Sequence, residues 1–179
     1  MERRIALLRG INLGPHRRIA MPTLRELLSG AGFEEARTYL QSGNVVLGTD
    51  AHPGELETRL EQLLTERLGF DVEVIVRTAQ EWQAVTERNP LAGVAVDPKR
   101  YQVTFLEQPL KQERVDELAS LAAGDERFVA DGRELYAWHP AGVARSRLWA
   151  KLGSKSLGVK ATSRNWATVM ALLEMATGQ

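Results

Sequence analysis

The sequence predicts an α+β fold of two tandem ferredoxin-like (split β-α-β) units with antiparallel sheets. In this prediction the second unit is incomplete and ends in C-terminal helices. Three observations lead to it: a β-α-β-β-α-β order in the first half, the restart of that order after residue 98, and the Asp131-Gly132 dipeptide, a strong hairpin signal. The predicted domains are 1–88 with an extra helix at 79–88, a linker at 89–98, and a second unit at 99–179.

The first unit follows from hydrophobic periodicity. Apolar residues fill both faces of Arg3–Arg9, as in an interior strand, and recur at helical spacing after Pro22 and again after Pro53. Thr78 and Glu81 form a plausible capping box for the extra helix. The predicted strands lie at 3–9, 36–41, 45–49 and 70–76, and the two main helices begin at Met21 and Pro53.

The second unit repeats the order of the first. An alternating strand begins at Tyr101, a helix follows around Val115–Ala122, and 128–138 folds back as a hairpin. Another helix is predicted at Arg145–Leu152. A terminal helix then stands where the fourth strand of the first unit would be. The sequence therefore predicts a duplication whose second copy lacks its last strand.

Composition excludes several classes of function. There are no cysteines, so disulfides, thiolate metal sites and cysteine nucleophiles are absent. No apolar run reaches the roughly 20 residues that cross a bilayer, and the opening has no signal-peptide core. We therefore expect a cytoplasmic protein with no membrane contact. Charge is segregated, with net values of +4 for residues 1–30, −9 for 31–140 and +5 for 141–179. This segregation is either a feature of an ordinary solvated surface or, if the chain ends meet, the source of one basic patch.

Three polar stretches are candidates for a binding site. The first is the N-terminal loop, Arg9–Gly14, in which Gly10 and Gly14 let backbone N–H groups turn towards a ligand while Arg9 and Asn12 add donors. It lacks the Lys-Ser or Lys-Thr of a Walker loop. An irregular loop that needs glycine geometry is the structural alternative.

The second stretch is the QSGN turn, made of Gln41, Ser42, Gly43 and Asn44. A tight hairpin explains it without any function. In a ferredoxin-like unit, however, strand three runs antiparallel beside strand one. The turn is therefore expected to lie next to the N-terminal loop, where loops commonly build sites.

The third is the C-terminal stretch, Ala161–Thr168. Thr162 or Ser163 is expected to cap the last helix, whose first N–H groups would form an anion site. Capping and a buried Trp166 leave Arg164 and Asn165 unexplained. The cations Lys151, Lys155 and Lys160 precede this stretch, with no nearby acid in sequence.

Evidence for catalysis is weak. Near the three stretches only His16 could act as an acid or base, unless folding brings in a carboxylate. His52 and His139 each precede proline and look like turn residues, so no metal site is indicated. No cofactor motif occurs. The two central strands of the first unit carry no aromatic residues, which argues against RNA binding on the sheet face.

The motifs LLRGIN-x-G, TY-x-QSGNV and T-x-RNW-x-TV resemble the bacterial domain-of-unknown-function 1697 family. The resemblance covers essentially the whole chain. It implies a two-unit α+β fold and no particular activity. Two positions depart from the pattern of that family: Pro15 replaces a usual second glycine, and Ala167 replaces a usual asparagine.

The leading hypothesis is that a phosphate-bearing ligand, either a nucleotide-like metabolite or a nucleic-acid backbone, binds in a basic cleft formed by the three stretches. Arg17 and Arg18 would lie on a mobile flap, here called the arginine arm, Pro15–Arg18. The alternatives are an enzyme of unknown reaction in the same cleft, and a structural or protein-interaction module. Ligand identity and oligomeric state stay open. The predicted contacts are Arg9, Asn12, Gly14, Arg17, Gln41, Ser42, Asn44, Arg164 and Asn165.

Overall fold

The computed structural model describes residues 1–33, 35–153 and 155–178, with only the backbone of Lys155. The chain divides into two compact units, Met1–Ala84 with Leu172–Gln179, and Val85–Ala171. The division passes through two helices rather than through the 89–98 segment. The predicted boundaries stay a prediction.

The first unit has the element order that its periodicity predicts. Its sheet is antiparallel, with the strand order β2-β3-β1-β4. The Thr78–Glu81 capping box is confirmed, since each backbone N–H donates to the side chain of the other residue. The elements are β1 Glu2–Arg9, α1 Met21–Gly30, β2 Arg37–Tyr39, β3 Asn44–Thr49, α2 Pro53–Leu68, β4 Glu73–Thr78 and α3 Ala79–Arg88.

One face of this sheet packs against α1 and α2. Ala6, Val45 and Val76 of the sheet belong to the same buried cluster as Leu28 of α1 and Leu60 of α2. Burial of large apolar side chains is the main stabilising term of such a layer, at about 25 cal/mol per Å². The cluster holds β1 and β3 side by side, and this contact positions the loops at their ends.

The second unit repeats the same plan in full. Its antiparallel sheet has the order β6-β7-β5-β8, and the predicted hairpin around Asp131-Gly132 is confirmed as the β6–β7 connection. The elements are β5 Tyr101–Leu106, α4 Gln112–Leu121, β6 Arg127–Asp131, β7 Glu134–Trp138, α5 Arg147–Leu152, β8 Ala161–Asn165 and α6 Trp166–Thr177, with a 3-10 turn at Lys155–Leu157.

The prediction that the second copy lacks its last strand is wrong. The C-terminal stretch begins as β8, which pairs along β5 in antiparallel register from Gln102↔Asn165 to Leu106↔Ala161. This is an edge strand of five residues, rich in hydroxyl and amide side chains. Its sequence therefore has the composition of a helix cap and not the apolar alternation that marks a strand.

Candidate functional site

The N-terminal loop and the QSGN turn meet, as predicted. Asn12 Nδ2 donates to Gln41 O at 2.6 Å and to Ile19 O at 3.2 Å, while Asn12 Oδ1 accepts from Ile19 N at 2.9 Å. Leu8 N donates to Gly43 O at 2.8 Å. Asn12 thus connects its own loop to Ile19 and to the QSGN turn. Both N–H groups of its side-chain amide donate in these contacts, and its oxygen accepts.

Backbone geometry explains the glycines of this region. Gly10, Asn12 and Gly14 all have positive φ, at 85°, 53° and 76°. Gly43 also has positive φ, and a Cβ at this position would lie 2.7 Å from Leu8 Cβ. Only glycine lets the turn approach the end of β1 this closely.

Asn44 serves the turn that it ends. It is fully buried, and its Nδ2 donates to Tyr39 O at 2.8 Å and to Ser42 Oγ at 2.9 Å. A buried amide needs such partners because an unmade hydrogen bond costs about 1–3 kcal/mol. Gln41 and Ser42 are exposed on the outer side of the turn.

Arg9 has an acidic partner that the sequence does not reveal. Its Nη1 lies 3.2 Å from Glu73 Oε2, on the neighbouring strand β4, where the two residues are opposite each other in register. The charge of Arg9 is therefore largely balanced within the fold.

The arginine arm is different. His16, Arg17 and Arg18 are exposed. The Arg17 guanidinium lies 5.5 Å from the centre of the Phe70 ring, and Arg18 Nε donates to Gly14 O at 3.3 Å. In the part of the chain that the structure describes, neither arginine forms an ion pair with a carboxylate. The arm therefore carries two positive charges that no described carboxylate pairs with.

Arg164 and Asn165 lie in the second unit and end β8. Arg164 is only 8% exposed, and its Nη1 donates to Thr162 Oγ1 at 2.8 Å and to Ser163 O at 2.7 Å. Burial lowers the pKa of Arg164 to about 10, because the charged form is desolvated. The Arg164 guanidinium is thus buried and hydrogen-bonded to residues of its own strand, β8.

The last helix is capped by Asn165, and not by Thr162 or Ser163 as predicted. Asn165 Oδ1 accepts from Thr168 N at 2.9 Å, at the N-terminus of α6. The predicted cap residues are occupied elsewhere in β8: Ser163 Oγ lies 2.7 Å from Thr104 Oγ1.

Two of the lysines before this stretch form ion pairs with acids that are distant in sequence. Lys151 Nζ lies 3.4 Å from Glu117 Oε1, and Lys160 Nζ lies 3.7 Å from Glu107 Oε1. The side chain of Lys155 lies outside the described residues. Folding brings in these acids from positions 34 and 53 residues away in sequence.

The structure also contains a buried histidine–carboxylate pair that the sequence does not predict. His139, interpreted as a turn residue, is fully buried, with Nδ1 2.7 Å from Glu126 Oε1. Burial raises the pKa of Glu126, but hydrogen bonds from Ser146, His139 and Ala123 N lower it below its ordinary value. No sequence signal joins these residues. Within the described ranges, no group of three or more His, Cys, Asp or Glu could hold a metal ion.

The fold defines a class of α+β protein built around two four-stranded antiparallel sheets. The model of the family "Protein of unknown function (DUF1697)" matches residues 1–136, so the chain belongs to that family. It is similar over 98% of each chain to the structure of the conserved bacterial protein SP0830 from Streptococcus pneumoniae, with a TM-score of 0.78 and 23% identity. At that identity the likeness shows the fold alone. No curated protein matches the chain. Among the described residues, no helix is long and apolar enough to span a membrane.

Proposed function

We propose that the first unit binds a phosphate-bearing ligand, either a nucleotide-like metabolite or a nucleic-acid backbone, at the arginine arm. The observation that carries the proposal is the pair of exposed arginines, Arg17 and Arg18, without a carboxylate partner among the described residues. They follow a loop that Asn12 fastens to the QSGN turn. A positively charged segment next to a hydrogen-bonded loop is suited to binding a polyanion, because guanidinium groups bind phosphate oxygens in a bidentate manner.

The other predicted contacts divide by how much hydrogen-bonding capacity remains to them. Asn12 and Asn44 are used inside the fold, and Arg9 pairs with Glu73. Gln41 and Ser42 are exposed on the turn that Asn12 contacts, and we assign both as neutral contacts beside the arm, although the Ser42 hydroxyl already accepts from Asn44. Gly14 contributes backbone geometry.

A protein-interaction module is the second candidate, and exposed leucines favour it. Leu13 is 69% exposed and Leu40 is 57% exposed, and each adjoins one end of the Asn12–Gln41 hydrogen bond. Leu40 also has φ 56°, an uncommon conformation for a large side chain. Apolar side chains at such positions favour contact with another macromolecule.

The fold itself is part of the proposal. We infer that both units are ferredoxin-like. Each has the element order β-α-β-β-α-β, and in each sheet the strands lie side by side in the order second, third, first, fourth. We further infer that they arose by duplication.

The test is binding of ATP and of a single-stranded oligonucleotide as a function of salt. The double variant R17A/R18A is compared with R67A/R147A, which removes the same charge from exposed positions elsewhere. If both arm residues contact phosphates, R17A/R18A should lower the slope of log K against log salt for the oligonucleotide by about 1.4.

The control variant should bind as the original protein does. Equal binding by all three proteins, or no binding of either ligand by the original protein, contradicts the proposal.

A further inference from the structure

A cavity lies in the first unit at the opposite end of β1 from the N-terminal loop. Its volume is about 490 Å³, and parts of four elements line it: the start of β1, the end of β4, the first turn of α3 and the end of α6. Nothing in the proposed function uses it. The residues that matter here are Arg4, Thr78, Ala79, Gln80, Ala176 and Thr177.

Arg4 gives this cavity an unsatisfied donor. Its side chain is only 7% exposed, and among the described residues its ion pair joins Nη1 to Oε2 of Glu2 at 2.6 Å. Its Nε is buried without a hydrogen-bond partner among the described residues. Buried charged groups are normally paired at every polar atom, because desolvation is otherwise uncompensated. Arg4 Nε is therefore a donor for which the described residues supply no acceptor.

The first turn of α3 adds more donors to the same cavity. The Thr78–Glu81 capping box uses the N–H groups of those two residues. The N–H groups of Ala79 and Gln80 lie between them, in the first turn, where a helix supplies no acceptor of its own. The positive end of the helix dipole reinforces the preference for an anion.

The end of α6 supplies acceptors. Among the described residues, the last backbone bond of the helix runs from Gly178 N to Glu174 O, and none of their backbone N–H groups donates within the helix to the carbonyls of Ala176 and Thr177. Arg37 Nη2 donates to Met175 O, the carbonyl just before them. The cavity thus has hydrogen-bond donors on one side and carbonyl acceptors on another.

We propose that this cavity binds a small zwitterion of the free α-amino acid class. The carboxylate of the ligand accepts from Arg4 and from the amides of Ala79 and Gln80, and its ammonium donates to the carbonyls at the end of α6. The carboxylate of Glu2, which is 74% exposed, already contacts Arg4 and gives way to that of the ligand. A cavity of about 490 Å³ leaves room for a ligand side chain.

The experiment titrates the full chain with three matched probes and with inorganic phosphate, and follows the amide resonances of Ala79 and Gln80. The probes are L-alanine, propionate, which lacks the ammonium, and ethylamine, which lacks the carboxylate. We expect saturable shifts with L-alanine and binding about tenfold weaker with propionate, since one charge-assisted hydrogen bond is lost. Ethylamine should give no saturable shift. If propionate or inorganic phosphate binds as tightly as L-alanine, the proposal of a zwitterionic ligand is wrong.

Two variants test the role of Arg4. Glu2→Gln removes the competing carboxylate from an exposed position and should tighten L-alanine binding several-fold, whereas Glu55→Gln, an equal charge change on α2, should not. Arg4→Met should abolish the shifts. If Arg4→Met does not fold, Glu2→Gln decides, and an unchanged affinity in that variant refutes the proposal. R17A/R18A should bind L-alanine normally, so failure at the arginine arm and failure here are distinguishable.

Discussion

The two units end their fourth strands in the same way. In the first unit, buried Arg77 is followed by Thr78, and α3 begins at the next residue. In the second, buried Arg164 is followed by Asn165, and α6 begins at the next residue. The strand, the arginine, the cap and the helix therefore form one junction that occurs twice in the chain.

The hydrogen bonds of the two junctions also correspond. Arg77 Nη1 donates to the carbonyl of the preceding residue at 3.1 Å, and Arg164 Nη1 does the same at 2.7 Å. The side-chain oxygens of Thr78 and Asn165 each accept from the third residue of the following helix, at 3.0 and 2.9 Å. Arg164 and Asn165, which the sequence offers as ligand contacts, thus have counterparts with a local structural role.

The difference between the junctions lies on the neighbouring central strand. Opposite the cap stand Arg4 in the first unit and Gln102 in the second. Gln102 Nε2 donates to Lys99 O at 3.1 Å, whereas Arg4 Nε is buried without a partner among the described residues. Arg164 therefore has a structural counterpart in Arg77, whereas the unpartnered Nε of Arg4 has none in the second unit.

The largest expected effect comes from removing the junction arginines. Arg77→Ala and Arg164→Ala should each lower the free energy of unfolding by about 3 kcal/mol or more, because the buried groups that each arginine contacts lose their partner. Urea unfolding at constant slope measures this loss. Arg67→Ala, at an exposed position of α2, is the control and should change stability by less than about 0.5 kcal/mol.

Unequal losses would separate the two junctions. If Arg77→Ala costs several kcal/mol and Arg164→Ala costs almost none, the correspondence fails. Arg164 would then again be a candidate ligand contact.

Local patterns were enough to predict most of the fold. The helices after Pro22 and Pro53, the Thr78–Glu81 box and the Asp131-Gly132 hairpin each depend on residues close in sequence. Strand β8 depends instead on pairing with β5, about 60 residues earlier, and its own polar residues give no apolar alternation. Such non-local pairing is not visible in a single sequence.

The contact between the N-terminal loop and the QSGN turn was predictable from sequence, whereas the hydrogen-bond and ion-pair partners of their side chains were not. The antiparallel neighbours β1 and β3 require the N-terminal loop and the QSGN turn to lie together, and they do. Which polar groups remain available depends on contacts distant in sequence, such as Arg9 with Glu73 and Asn12 with Gln41. Those contacts remove residues from the list of ligand contacts after folding.

The turn glycines provide the next comparison of the two units. Gly43 and Gly132 both have positive φ, but a Cβ at Gly132 meets nothing within 4 Å while one at Gly43 meets Leu8 and Ile11. Gly132→Ala should cost about 1 kcal/mol, from conformation alone. Gly43→Ala should cost about 2 kcal/mol more, because overpacking is added. Thermal and urea unfolding measure both. Equal losses would show that the QSGN turn can move away from β1 at no cost.

The smallest effects are expected at the helix caps, and they test whether the two junctions are equivalent in energy as well as geometry. Thr78→Ala and Asn165→Ala each remove one side-chain acceptor from a helix N-terminus and should each cost about 1 kcal/mol. Thr78→Ser and Asn165→Asp keep an acceptor oxygen and are the matched controls, so both should retain most of the stability in urea unfolding.

In the first junction Glu81 still accepts from the N–H of residue 78 after the Ala substitution, since that bond uses the backbone donor. Asn165 has no reciprocal bond of this kind in the described structure. Asn165→Ala should therefore be at least as costly as Thr78→Ala. A larger loss at Thr78 would mean that its hydroxyl has a role beyond capping, and the cavity that Thr78 shares with Arg4 is where that role would lie.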